Sequence, residues 1–252
     1  MQKMTRSWFR FGLVALAVPL ASGTAFSGDI VQGDQSEYNP VGTVIYWGGD
    51  LANNQNDQTS GGIGAGFTTA LDGDLGQSGW IVSGYLGGGW VDGNTSRTDA
   101  AYGSLAAGYL WAAPDYYVSL QAGVHFVNNN ESPGGGPTDG SEIGALFQYS
   151  FETTRSNAFY AQSYGSLSTA FEQRYAHVKT GYKTSTFTYG AEFTYLDSED
   201  SGDTKRYGAF VGNIPIGKLS MTIGAGYQQE SEPSLSDGVY GTVGFSVPFP
   251  IR

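Results

Sequence analysis

Leu219-Ser-Met-Thr-Ile-Gly-Ala-Gly-Tyr-Gln228 and, beyond a polar loop from Glu230 to Asp237, Val239-Tyr-Gly-Thr-Val-Gly-Phe-Ser-Val-Pro-Phe249 decide the reading of this chain. In the first, Leu219, Met221, Ile223, Ala225 and Tyr227 alternate with Ser220, Thr222, Gly224, Gly226 and Gln228. In the second, Val239, Val243, Phe245, Val247 and Phe249 share one parity with Gly241, against Tyr240, Thr242, Gly244 and Ser246. A period of two places each set on its own face of a strand. One face is large and apolar and the other is small and polar. That is the alternation of a strand with lipid outside and a polar interior.

The pattern repeats upstream. Strands are expected near 44–51, 63–71, 80–91, 101–112, 117–126, 142–151, 158–167, 175–182, 187–195 and 207–214. Alternation is cleanest at Val118, Leu120, Ala122, Val124 and Phe126 and at Phe187, Tyr189, Ala191, Phe193 and Tyr195. It weakens in the seventh and eighth segments. With the closing hairpin, this makes about twelve strands, an even number as in single-chain outer-membrane barrels. Connection lengths carry a second signal. Those after strands 1, 3, 5, 9 and 11 are long or polar, including Asn128–Gly140 and the acidic Asp197–Asp203. Most of the others are short, as periplasmic turns are. The connection after strand 7, near Glu172-Gln173, is short where a long one is expected.

The expected fold is therefore all-β, a transmembrane antiparallel up-and-down barrel following a cleaved signal peptide. Lys3, Arg6 and Arg10 precede the apolar run Phe11–Leu20, and Ala25-Phe26-Ser27 offers a small-x-small cleavage site. The expected division is a signal peptide over 1–27, a periplasmic lead over 28–42 and the barrel over 43–252. Export to the outer membrane, with its lipid as a partner, follows from that division. A soluble sandwich also alternates, but it would carry more charge on its polar faces than the Gly, Ser, Thr and Gln found here. The mean hydropathy of −0.24 is no objection, since barrel strands hide their apolar residues in every second position.

Charge and composition exclude several functions. Loss of the leader leaves 9 Lys+Arg against 23 Asp+Glu, a net charge of −14, which speaks against nucleic acid. The chain has no cysteine and only two histidines, His125 and His177, so no metal or cofactor site is expected. Ile63-Gly-Ala-Gly-Phe67 recurs as Ile223-Gly-Ala-Gly-Tyr227. No helix follows either copy, which argues against a phosphate cradle. A serine hydrolase would need a base beside its nucleophile, and His125 and Ser119 are not adjacent same-face residues. No catalytic residues are expected, and the chain reads as a non-enzyme.

The polar faces make Gln121, His125, Glu142, Gln148 and Glu192 candidate lumen-lining residues. Trp80, Trp90, Tyr109, Trp111, Tyr149, Tyr195 and Phe249 fall at or near strand ends, where amphipathic rings suit the headgroup level.

Tyr175-Ala-His-Val-Lys-Thr-Gly-Tyr182, Thr188-Tyr-Gly-Ala-Glu192, Arg206-Tyr-Gly-Ala-Phe210, Gly224-Ala-Gly-Tyr227, Asp237-Gly-Val-Tyr-Gly-Thr242 and Trp47-Gly-Gly-Asp50 resemble the cellulose biosynthesis protein BcsS family. The resemblance spans most of the mature chain and consists largely of glycine and aromatic barrel positions. It implies a secreted protein that accompanies bacterial cellulose synthesis, with cellulose or the synthase machinery as partners. It carries over no catalytic residue. The expected function is a non-enzymatic outer-membrane barrel assisting cellulose export or surface attachment. The alternative is a porin-like channel for small solutes. The ending Phe249-Pro-Ile-Arg252 departs from the terminal aromatic usual as an assembly signal.

Overall fold

A computed structural model describes residues 40–250 apart from 56–57, 94–95, 135–137, 199–202 and 232–236. The leader 1–27 and most of the lead 28–42 lie outside the described residues. Twelve strands follow one another: β1 (Val41–Asn54), β2 (Thr59–Ala70), β3 (Gly79–Asp92), β4 (Arg97–Ala112), β5 (Tyr116–Ser132) and β6 (Gly140–Thr153), then β7 (Ala158–Ser168), β8 (Arg174–Lys183), β9 (Thr188–Asp197), β10 (Asp203–Ile216), β11 (Leu219–Glu230) and β12 (Gly238–Pro250). Each pairs antiparallel with its neighbours in sequence, and β1 pairs with β12, so the sheet closes as a barrel. Closure leaves no sheet edge to satisfy in lipid.

The shortest strands, β8 and β9, have 10 residues each. At about 3.3 Å per residue and a tilt near 40°, ten residues span roughly the 25 Å apolar band of an outer membrane. Large apolar side chains point outward along the wall. Ile63, Leu86 and Ile143 are all more than 70% exposed. Exposure of that kind around a whole circumference is intelligible only against lipid. The barrel is thus of the outer-membrane type, and its chain-terminal strands put both ends of the barrel at one rim, called lower here. By the rule for such barrels the lower rim is periplasmic and the upper rim extracellular.

Several strands run further at their upper ends than periodicity indicates. Asn53 and Asn54 belong to β1, and Asn128–Ser132, expected as loop, continues β5 in register with Arg97–Ala101 of β4. Above the lipid the backbone still pairs, but no solvent asymmetry forces apolar residues outward, so the sequence there looks like loop. Strand β1 also starts at Val41, two residues inside the expected lead.

The lower mouth is filled by apolar residues under β1–β4. Leu75, in the connection 71–78, turns inward, its amide donating to the Val41 carbonyl at 2.8 Å, and packs in the cluster containing Val44, Ile81 and Leu110.

Candidate functional site

The interior begins with glycine. Strands β2 and β3 place Gly64, Gly66 and Gly87 inward, and neighbouring tyrosines lie against them. A Cβ on Gly64 would stand 1.9 Å from Tyr85 Oη. One on Gly66 would meet the Tyr46 ring at 2.6 Å, and one on Gly87 the Tyr102 ring at 2.6 Å. Glycine here makes room for rings to reach across from the next strands. Tyr46 and Tyr85 stack with centroids 6.3 Å apart and planes 16° apart, and Tyr85 and Tyr102 at 5.9 Å and 12°. This side of the lumen is a tiled aromatic wall.

The opposite side is charged. Arg206 on β10 donates to Asp50 on β1 at 2.9 Å and, through Nε, to Gln228 at 2.6 Å, and its guanidinium lies 5.2 Å from the Tyr240 ring centre. The Tyr240 hydroxyl donates to Glu192 at 2.9 Å. The other Glu192 oxygen stands 4.0 Å from Lys179 Nζ and 3.9 Å from His177 Nε2. Lys179 also sits 4.9 Å over the Phe210 ring. All these charged groups are buried. Buried charges persist when paired, and here Arg206 is paired with Asp50 and Glu192 faces Lys179.

A second cluster lies lower. Glu152 accepts from Tyr117 at 2.5 Å, Tyr160 at 3.1 Å and Gln162 at 2.9 Å. A small cavity separates it from the first, lined by Tyr160, Gln162, Lys179, Phe210 and Asn213. A register shift between Val211 and Ile214 re-aims Asn213, whose amide donates to Thr188 at 3.0 Å. Asp50 to Arg206 and Tyr240 to Glu192 each join strands three apart, a quarter of the circumference, so these bonds cut across one sector of the lumen instead of joining neighbouring strands.

The upper mouth holds the β7–β8 connection. A short 3₁₀ segment, Ala170–Glu172, folds inward, burying Ala170 completely and leaving Phe171 8% exposed. Glu142 accepts the Phe171 amide at 2.8 Å, and Ser168 Oγ accepts that of Ala170 at 3.1 Å. The Thr169 amide donates to the Ala145 carbonyl at 3.0 Å. This connection is short, as read from the sequence, because it turns into the barrel.

Of the five polar residues singled out in the sequence, Gln121, His125, Gln148 and Glu192 are buried on the inner face and Glu142 is half-buried. They are not one site. Gln121 accepts from Ser83 at 2.6 Å, Glu142 belongs to the upper mouth and Glu192 to the charged side. His125 bonds Ser168 at 3.0 Å, not Ser119, which bonds Ser150 at 2.6 Å. The His125–Ser168 contact has the reach of a nucleophile–base pair. Yet Ser168 Oγ already accepts the Ala170 amide, and no hydrogen bond from His125 to a carboxylate orients the ring among the described residues, so the arrangement serves to hold the turn. Among the described residues, no three His, Cys, Asp or Glu side chains are placed to hold a metal.

Sequence reasoning passed over Asp50, Lys179 and Arg206. The alternation in β8 would have exposed Lys179, since Ala176, Val178 and Tyr182 take the other parity. On the outer wall Trp80, Tyr109, Trp111 and Phe249 fall near the lower rim, joined by Tyr116, Phe159, Tyr182 and Tyr189. Tyr149 sits somewhat further in, and Trp90 and Tyr195 fall near the upper rim.

Solved structures share the architecture at low identity. The beta domain of the Bordetella autotransporter BrkA matches with a TM-score of 0.50 and 13% identity, over 84% of this chain and 100% of that one. KdgM porin matches at 0.49 and 8%, over 82% and 99%. LpxR from Salmonella typhimurium matches at 0.48 and 12%, over 81% and 100%. At such identities the first shows the fold and nothing of the activity. No curated protein matches the chain. Residues 44–249 match the family model described as cellulose biosynthesis protein BcsS.

Proposed function

The chain belongs to the BcsS family of cellulose biosynthesis proteins, and from that premise we propose that it serves cellulose production as a non-enzymatic outer-membrane barrel, assisting export of the polymer or its attachment at the cell surface. The observation that carries this reading is the lumen bridged on one side by the Asp50–Arg206 and Tyr240–Glu192 bonds within a lipid-facing wall. A sugar chain threading that side of the lumen would have to break both. Separating a buried ion pair costs about 3–5 kcal/mol when one charge is left without its partner. Assistance from the rim or the outer surface needs no such rupture. Export through the signal 1–27 and residence in the outer membrane belong to the same proposal, with Trp80, Trp90, Tyr109, Trp111, Tyr149, Tyr195 and Phe249 at headgroup level.

The test is a clean deletion assayed for cellulose at the surface and in the periplasm. Loss or mislocalisation that the intact gene restores supports the role. Unchanged cellulose in a producing strain removes it.

A second reading, a small-solute channel, is favoured by the polarity of the lumen lined by Gln121, His125, Glu142, Gln148 and Glu192. Conductance in planar bilayers that falls in Glu142→Gln or Glu192→Gln would support it, and a silent barrel would exclude it.

A further inference from the structure

Phe171 and Glu172 both lie in the left-handed region, with φ of 49° and 45°. Neither is glycine or asparagine, the residues that visit this region at least cost. Two such residues in succession persist only where surrounding contacts outweigh the strain. Those contacts are few and identifiable here. They are the buried Phe171 ring, the Glu142 carboxylate on the Phe171 amide, Ser168 on the Ala170 amide and the Thr169–Ala145 bond.

The support beneath the turn is also unusual. Pairing between β6 and β7 starts only at Leu146 with Ser168, so Gly140–Ala145 of β6 has no β7 partner. The inward turn leans on that free stretch in place of a strand. It fits because position 144 is glycine. A Cβ there would stand 2.2 Å from the Ala170 amide nitrogen and 2.7 Å from Thr169 Oγ1. Backbone and hydroxyl both occupy the space that any other residue would fill.

We propose that residues 169–172 form a strained plug in the upper mouth, latched by Glu142 and Ser168, whose outward release gives ions and small polar solutes access to the lumen. The strain favours release, the buried ring and the latch oppose it, and the balance sets how often the mouth opens. The proposal stands apart from the cellulose role, since a plugged mouth is equally consistent with its presence or absence.

The chain has no cysteine, so one can be placed without background. Ala170→Cys buries its thiol on the inner side of the plug itself, and a membrane-impermeant maleimide labels it only when the plug is out. Labelling rates are read in the refolded full barrel, with the gel shift between unboiled and boiled samples certifying folding. Adding Gly144→Val should speed labelling by tenfold or more, on the order expected when a close contact is overfilled. Adding Glu172→Gly removes no buried contact, because the side chain is exposed, but relieves one strained position. It should slow labelling roughly fivefold. A cysteine on the inner wall, Ser83→Cys in place of Ala170→Cys, reads access to the lumen, and Gly144→Val should speed its labelling while Glu172→Gly slows it. Equal labelling at position 170 in all three folded barrels overturns the plug. Faster labelling at position 170 in Gly144→Val without faster labelling at position 83 overturns its role as a gate.

Discussion

The two sides of the lumen differ more from each other than the outer wall differs anywhere from itself. On β1–β4 glycine and tyrosine dominate the inner face, held by rings lying on backbone, and Asp50 is the one charge there, among the described residues, that the other side engages. On β8–β10 the inner face is His177, Lys179, Glu192 and Arg206, held by charge and hydrogen bonds. Outside, both sides carry the same apolar residues. Lipid imposes one requirement on the exterior, whereas an interior can be closed either by shape or by charge. Closure by shape tolerates salt and fails when volume is added. Closure by charge tolerates small volume changes and fails when one partner is removed.

Perturbations can be ranked against that difference. The largest effect is expected from Arg206→Met, which leaves Asp50 and Gln228 buried without their donor. It should destabilise the barrel by about 3–5 kcal/mol, measured by urea unfolding in detergent micelles. Gly66→Val comes next. Its added carbons would meet the Tyr46 ring and the Gly84 carbonyl oxygen, both 2.6 Å from the Cβ position, at a cost of about 1–3 kcal/mol. The comparison sharpens if adding Asp50→Asn shrinks the Arg206→Met deficit and leaves the Gly66→Val deficit as it was. It breaks if the two respond alike.

Tyr240→Phe should cost about 1–2 kcal/mol by taking one donor from a buried carboxylate. Combined with Glu192→Gln in a double-mutant cycle, the loss should shrink, because the acceptor charge is then already gone.

The smallest effect concerns pH at the upper rim. Asp237, in the β11–β12 connection, accepts from the Tyr227 hydroxyl at 2.7 Å and the Glu230 amide at 3.0 Å, and the Tyr227 bond is the main reason that its pKa lies below the ordinary 3.8. A lowered folded value means that the contribution is complete above the ordinary value and is lost as pH falls through the lowered one. The protection factor of the Glu230 amide, its exchange rate taken relative to an unstructured amide at the same pH, should therefore fall in acid, and Asp237→Asn should remove that acid dependence.

Much of this architecture is legible in the sequence, because lipid contact writes itself into every second residue. Strand number, order and outer face follow from Ile63, Leu86, Val124 or Phe193 and their alternating partners. The interior is less legible. In β7 the outward set includes Ser163 and Gly165 while the inward set includes Tyr160 and Tyr164, so size and polarity no longer separate the faces. Charge pairing between β1 and β10 depends on closure, which no local window contains. The inward turn at Ala170 is hidden for a different reason. Its determinants are one glycine 26 residues upstream, at Gly144, and a carboxylate at Glu142, and nothing in the residues 169–172 themselves announces a left-handed backbone.

The seam between β1 and β12, where Val44 faces Pro248 and Asn54 faces Gly238, joins the first strand to the last across nearly the whole barrel sequence. Contacts so distant along a chain form late, because the intervening loop must be closed before they repay its entropy. Until β12 arrives, β1 and β11 are both open edges, each able to recruit another chain. Until this seam closes, the barrel depends on something that shields two edges at once. A chain cut before Gly238 would keep them exposed permanently.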